Sequence, residues 1–402
     1  MMAQKKRYIH LSLSKAFLLI FVLTSCTGES SVIKSPTPSE TGTEEFTVQF
    51  GLSETIAPPS PSPTPESTSI PTPLEGLLVF SSDNSLYALD LASNEVRVLA
   101  PEGFSSDPVF DPTANVYFLR QDDHYLREIY RINFDGSGFE PVTANNYDVI
   151  WMAPSPDGRT IAYVARQYPD DANYYFQIMR LNNASLISSI PSPEIFWLPA
   201  WSPDGKRIAF IHPHRQNNPY SDTVSGDLYL VDENGNNMTQ ITEDLPIFPG
   251  GFSWSPDSTS ILVAAYDDPG RNLYSVDVNS QEITRLTNSP EIATEPIWSP
   301  DGEHMLFWSD NRLCYLESDL LVERCIGDRD ISINKDSLVY WPVLRQSVWS
   351  PAGDKIAYAL HVSRDEEYLM IYDLATGAIS RLCSDRTFGM ISSLSWVVDP
   401  TH

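Results

Sequence analysis

Residues 201–210 read WSPDGKRIAF, and recognisable copies of this stretch recur at near-constant spacing to the C-terminus. Aligned on the tryptophan position, the copies begin at Phe110 (FDPTANVYF), Pro154 (PSPDGRTIAYV), Trp201, Trp254 (WSPDSTSILV), Trp298 (WSPDGEHMLFW), Trp349 (WSPAGDKIAYA) and Trp396 (WVVDP), in steps of 44, 47, 53, 44, 51 and 47 residues. A period in the forties, each unit carrying a turn flanked by short apolar runs, is the mark of a propeller blade of four antiparallel strands. Leu198 to Trp201 reads as a short inner strand and Ser202-Pro203-Asp204-Gly205 as a tight turn. Proline presets φ in that turn and glycine takes the left-handed position at its end. Arg207 to Ile211 is then the second strand, Leu228 to Asp232 the third, Asn234-Gly235-Asn236 the next turn and Thr239 to Thr242 the outer strand. The tryptophan is expected to fill the gap between neighbouring blades.

Third-strand patterns give an independent tally: LYALD at 86, IYRIN at 129, FQIMR at 176, LYLVD at 228, LYSVD at 273, LCYLE at 313 and LMIYD at 369. Both tallies give seven, but the two ends are offset. The repeat region starts at Leu77 with second, third and outer strands, and it finishes at Trp396 with an inner strand alone. The strand at Leu394 to Val398 is therefore expected to pair with Leu77 to Phe80, closing the ring and removing both sheet edges. The expectation is an all-β chain whose residues 76–402 form a seven-bladed β-propeller of four-stranded antiparallel blades.

The WSPDG element and the repeat count resemble the TolB-like propellers, a branch of the WD-like repeat proteins; the resemblance covers residues 76–402. That group holds a translocation protein, the propellers of several peptidases and a few polysaccharide lyases, so the resemblance implies a fold and no single activity. The peptidases carry an α/β-hydrolase domain with a Gly-x-Ser-x-Gly elbow, and this sequence contains no such element.

Ahead of the repeat, residues 1–25 have the form of a signal peptide: Lys5, Lys6 and Arg7, with Lys15 behind them, then an apolar run from Ala16 to Leu23. Eight apolar residues are too few to span a bilayer. Leu23-Thr24-Ser25-Cys26 resembles the bacterial lipobox, which implies that Cys26 is diacylated and becomes the mature N-terminus, anchored by two or three acyl chains such as palmitate. Residues 26–75 hold nine prolines after Cys26, mostly in Ser-Pro and Thr-Pro steps, and read as a disordered tether of polyproline character. Glu44 to Leu52 alternates enough to suggest a short strand within it. A coil-like tether of this length spans on the order of 40 Å.

With 53 acidic and 26 basic residues the formal charge is -27. Such a surface repels nucleic acid and anionic headgroups, which sets nucleic-acid binding aside. Histidines are the natural place to look for chemistry. His124, His212, His214 and His361 fall at the ends of second strands, and lyases of this fold group hold a divalent metal with histidines on that face. His212, His214 and His361 are therefore the candidate metal ligands, against the plainer reading of solvated loop histidines. Asp122-Asp123, Asp170-Asp171, Asp267-Asp268 and Asp365-Glu366-Glu367 sit in the same loops but match no calcium-loop spacing. Cys314 and Cys325 are equidistant from one hairpin turn and are the candidate disulfide, leaving Cys383 as an odd thiol.

The loops that join one blade's outer strand to the next blade's inner strand vary in length and carry aromatics: Tyr147, Trp151, Phe196, Trp197, Phe248, Tyr340, Trp341 and Phe388. Exposed aromatics beside carboxylates suit a sugar or peptide ligand. The opposite face is made of SPDG turns whose residues are set by backbone geometry. The sequence thus points to a monomeric, lipid-anchored, extracytoplasmic propeller of the bacterial envelope that binds a protein or polysaccharide without catalysis or cofactor. The alternative is a metal-dependent polysaccharide lyase.

Overall fold

The computed structural model describes residues 74–398, apart from the segments 101–104, 112–114, 122–124, 145–146, 168–172, 215–224, 268–269, 290, 310–311, 320, 327–346 and 364–365. The leader, Cys26, the tether to residue 73, His124, Tyr340 and Trp341 lie outside the described residues. What is described is all β. A sheet of β1 (Leu77–Ser82), β2 (Ser85–Asp90) and β3 (Glu95–Ala100) is followed by one of β4 (Ser105–Phe110), β5 (Asn115–Gln121), β6 (Arg127–Asn133) and β7 (Glu140–Pro141). Next comes β8 (Tyr147–Pro154) to β11 (Leu186–Ser192), through β9 (Thr160–Gln167) and β10 (Tyr174–Arg180). An eight-stranded sheet comprises two units of four. One is β12 (Trp197–Trp201), β13 (Arg207–Pro213), β14 (Gly226–Asp232) and β15 (Thr239–Gln240); the other is β16 (Ile247–Trp254), β17 (Ser260–Asp267), β18 (Gly270–Asp277) and β19 (Ile283–Arg285). The single pair Gly226↔Ile247 joins them. The last two sheets are β20 (Ala293–Trp298) to β23 (Glu323–Cys325), through β21 (His304–Ser309) and β22 (Arg312–Glu317), and β24 (Ser347–Trp349) to β27 (Ile379–Arg381), through β25 (Lys355–Ser363) and β26 (Glu366–Asp373). The final strand, β28 (Ile391–Val397), returns to β1 in antiparallel register, Leu77 opposite Val397 and Phe80 opposite Leu394. Every pairing between these strands is antiparallel.

Second strands are buried along their length, as in Ile208 to Ile211, rather than alternating. Each is covered on both faces, because every hydrophobic cluster lies between one four-stranded unit and the next. Leu77, Val79 and Ala88 pack against Val116 and Phe118; Tyr117 and Leu119 against Ile161 and Tyr163; and Ala162 and Val164 against Ile208 and Phe210. The series continues through the later sheets and ends with Ala357 and Leu369 of β25 and β26 against Phe80, Leu394 and Trp396. The outer strands, such as Ile283–Arg285, face solvent.

The recurring motif has a physical reason at each position. Three motif tryptophans donate their indole N–H to a backbone carbonyl one repeat earlier, Trp201 to Ala153 at 3.0 Å, Trp254 to Ala200 at 3.1 Å and Trp349 to Ile297 at 3.3 Å, whereas the indole N–H of Trp298 is buried without such a partner. The ring therefore both fills the gap between sheets and ties them together. Ser202 accepts the N–H of Arg207 at 3.0 Å and donates to Asp204 at 2.6 Å, while Asp204 accepts the N–H of Lys206 at 3.1 Å. The same triangle recurs at Ser155–Asp157, Ser255–Asp257 and Ser299–Asp301. Gly205 closes the turn at φ 71°, a conformation that costs a side-chain-bearing residue strain.

Candidate functional site

The third strands begin with a second recurring device that the repeat alone did not reveal. Thr242 accepts the N–H of Leu228 at 2.8 Å and donates to Asp227 at 3.3 Å. Thr287 does the same with Leu273 at 2.9 Å and Asn272 at 3.0 Å, and Thr143 with Ile129 at 2.9 Å and the buried Glu128. Each lock pins an outer strand to a third strand. Its sequence trace is a Thr 15 residues after an Asp, Glu or Asn, a spacing with no meaning until the hairpin is folded.

These locks account for the candidate histidines. His214 hydrogen-bonds through Nε2 to Asp227 at 2.7 Å, the carboxylate already used by Thr242 and by Gln240 at 3.0 Å. His361 hydrogen-bonds to Glu367 at 3.2 Å, and the other oxygen of Glu367 accepts the N–H of Ile391 at 2.7 Å, tying β26 to β28. His212 lies between the rings of Phe196 and Tyr229, with Nε2 3.4 Å from Ser192 Oγ. His212 and His214 lie on the β12–β15 unit and His361 on the β24–β27 sheet, so the three metal-ligand candidates are not brought together. Among the described residues two other groups have ligand atoms close enough for a metal. One is Cys314, Glu323 and Cys325, but those sulfurs are bonded to each other. The other, Asp301, Glu303 and His304, sits on a turn where Asp301 already serves Ser299 and the N–H of Glu303.

The expected aromatic surface is corrected in part. Phe196 is buried, edge-on to Phe176 and Phe210. Trp197 is buried in the cluster between β13 and β17, and Phe388 packs on Phe80 and Tyr87. These rings fill the apolar gaps between sheets, the nearest volume that takes them out of water. Tyr147, Trp151 and Phe248 remain half-buried: Tyr147 stands edge-on to Tyr175, and Phe248 stacks on the Arg271 guanidinium. Burial raises the Tyr147 pKa. The acidic loop pairs within the described residues are likewise occupied. Asp267 takes Arg285 at 2.9 Å and the Tyr274 hydroxyl at 2.6 Å, and Glu366 accepts from Tyr368 at 3.1 Å. Cys314 and Cys325 form a disulfide. They are the non-hydrogen-bonded, closer type of pair, since Ile326 N donates to Leu313 O beside them and their Cα atoms are 3.9 Å apart. Cys383 is a free, buried thiol whose pKa is pushed up by that burial.

Two cavities open at opposite ends of the sheets. On the loop face a pocket of about 390 Å³ is bordered by Ser192, Glu194, His212, His214 and Tyr229. A larger one, about 900 Å³, lies on the turn face across three sheets, floored by the turns at Ser155–Gly158 and Pro203–Gly205. Its size goes beyond the expectation of a featureless turn face. Yet the side chains on its floor are held by the turns themselves. Large apolar side chains are exposed at both faces: Tyr125 between β5 and β6, Ile292 before β20, Val362 near the end of β25 and Met390 before β28 at the loop face, and Phe139, Met238 and Leu321 in turns between third and outer strands at the other.

The family model of the TolB beta propeller domain matches residues 172–312, from the third strand of one sheet to the third strand of the β20–β23 sheet. The propeller is TolB-like. Relatives include the Tol-Pal system protein TolB of Alcanivorax borkumensis, 30% identical over 102 residues, which are 25% of this chain and 22% of that protein. An uncharacterised peptidase of Bacillus subtilis, YuxL, is 28% identical over 212 residues, 50% of this chain and 29% of that protein. Across the curated relatives it matches, this chain spans 22 to 46% of their length. Among solved structures, an oligogalacturonate lyase in complex with manganese superposes with a TM-score of 0.57 at 15% identity, covering 75% of this chain and 83% of the lyase. At that identity the likeness is one of fold alone. TolB-like propellers thus sit beside lyase and peptidase propellers, and the fold names no activity.

Proposed function

We propose that this TolB-like propeller is a lipid-anchored, extracytoplasmic binding module of the bacterial envelope. It recognises a protein or glycan at its loop face as a monomer, without catalysis. The observation that carries the reading is the contrast between the two faces. Turn-face serines, aspartates and glycines are spent on the turns, whereas the loop face is built of connections of varied length and carries a pocket bordered by Glu194, His212 and Tyr229 together with exposed side chains at Tyr125, Ile292, Val362 and Met390 elsewhere on it. The seven inter-sheet clusters and the β28–β1 pairing support a ring of seven blades, with that pairing as its closure. The lyase reading gains nothing from the geometry, because His214 and His361 serve as strand locks in separate sheets.

The test is a pull-down from envelope fractions with the intact lipoprotein, run beside Cys26→Ser. The parent is expected to partition into detergent and capture a partner, and Cys26→Ser to leave the detergent phase. Unchanged partitioning of Cys26→Ser overturns the anchor. Stoichiometric metal in the purified protein, with eliminative cleavage of a polysaccharide, overturns the non-catalytic reading.

A further inference from the structure

Arg271 stands near the loop-face start of β18, directly across the strands from Tyr266. Its guanidinium lies 3.5 Å from the ring centroid of Phe248 and 4.6 Å from that of Tyr266. The residue is 8% exposed, and its Nε is buried with no hydrogen-bond partner. Tyr266 alone acts on its charge among the described residues, and burial pushes its pKa below the ordinary arginine value. Three other arginines of this rim are neutralised, Arg127 by Asp148, Arg285 by Asp267 and Arg312 by Glu291, while Arg381, stacked on Tyr368 with its Nε likewise unpartnered, is only half-buried. In a chain with 53 acidic and 26 basic residues, a guanidinium this deeply desolvated and without a carboxylate among the described residues is unusual. Removing such a charge from water is costly unless an anion repays it.

The two rings stand nearly perpendicular to each other and line two sides of the guanidinium, which leaves its other N–H groups for a ligand, and a planar fork of donors is what a carboxylate meets with two parallel hydrogen bonds. Arg271 N also donates to Glu291 O at 3.2 Å, and a parallel bridge sets Arg271 beside Ile292. Ile292 is 48% exposed and puts an apolar contact next to the cation.

We infer that Arg271, packed in the corner formed by Phe248 and Tyr266, is a carboxylate-binding anchor of the loop face, and that its occupant is an acidic peptide segment of a protein partner with an aliphatic residue lying on Ile292. The inference rests on the loop face being the binding face. It names the chemistry recognised there.

The experiment measures binding of an end-blocked, fluorescein-labelled Leu-Glu-Leu-Glu peptide to the full-length protein, with a Leu-Gln-Leu-Gln peptide and a polyuronate alongside. The Glu peptide is expected to bind and the Gln peptide to fail. Arg271→Met is expected to weaken binding by about tenfold or more, and Arg271→Lys nearly as much, since an ammonium lacks the fork. The melting temperature of Arg271→Met without ligand should be no lower than the parent's, because an unpaired buried charge has gone. Acetate should compete on the parent where chloride of equal ionic strength does not, a readout that needs no variant. Equal binding of the two peptides, undiminished binding by a folded Arg271→Met, or no competition by acetate overturns the anchor. Arg271-dependent binding of the polyuronate without the Glu peptide overturns the peptide partner. Capture of a partner that survives Arg271→Met but is lost on loop-face changes elsewhere removes this anchor and leaves the loop-face reading standing. Capture lost only on turn-face changes removes the reading itself.

Discussion

Ser202 is fully buried at the corner of a turn and makes three hydrogen bonds: to the Arg207 N–H, to Asp204 and to the Arg207 carbonyl. Its hydroxyl is the largest cause that holds the Asp204 carboxyl below the ordinary carboxylate range, with the N–H of Lys206 adding to it. Asp157 and Asp257 are lowered in the same way by Ser155 and Ser255. A carboxylate depressed in the folded state contributes stability above its unfolded pKa of about 4, and that stability is lost as pH falls through the lower folded value. Ser202→Ala removes both the donor to Asp204 and the acceptor for Arg207. It is expected to cost about 1–3 kcal/mol and to move the onset of acid unfolding to higher pH. Circular dichroism followed from pH 6 to pH 2 reads both effects, and an unchanged acid profile would show that the turn owes nothing to the hydroxyl.

The hairpin of β22 and β23 is closed by the Cys314–Cys325 bridge over a sequence separation of 11. Glu323 lies beside it, its pKa raised by burial and by Glu291, so this hairpin carries an electrostatic cost that the bridge helps to offset. Closing a loop of this size is worth up to roughly 3 kcal/mol through the unfolded chain. A Cys314→Ser/Cys325→Ser variant is expected to melt several degrees lower and to ignore dithiothreitol, while the parent falls towards it on reduction. Equal melting of oxidised and reduced parent would show the bridge to be energetically idle. At the same scale, outer strands were the least legible elements: Thr239–Gln240 and Ile283–Arg285 are two and three residues long, too short for an alternation to be read.

The proposed ring would close through β28. Ile391, Leu394 and Trp396 belong to the cluster that joins the last sheet to the first, and without β28 the strand β1 keeps β2 on one side but loses its partner on the other. A chain ending at Met390 leaves a wholly buried strand as an open edge, a template for intermolecular pairing. It is expected to lose soluble monomer by size-exclusion chromatography and to melt far below the parent, more than the loss of twelve terminal residues ordinarily brings. A truncated protein with the parent's melting temperature would show that the pairing of β28 with β1 does not hold the fold together.

Sequence periodicity alone determined the architecture of this protein, because a propeller repeats one local solution. Trp, Ser, Asp and Gly recur wherever a sheet must latch to its predecessor and turn tightly, and that demand is local enough to be written in ten residues. The offset ends even specified which strands meet. What only the tertiary structure decided is how shared groups are spent. His214 and His361 look like free ligands until Asp227 and Glu367 fold against them, and Phe196, Trp197 and Phe388 look like a surface until the gap between sheets takes them in. Arg271 is the converse case. One arginine in a sequence carries no signal, and its want of a counter-ion among the described residues exists only once Phe248 and Tyr266 pack against it. Hydrogen-bond geometry and local turns are short-range and can be read in order along a chain, whereas burial and charge pairing are sums over neighbours that the chain brings together only by folding.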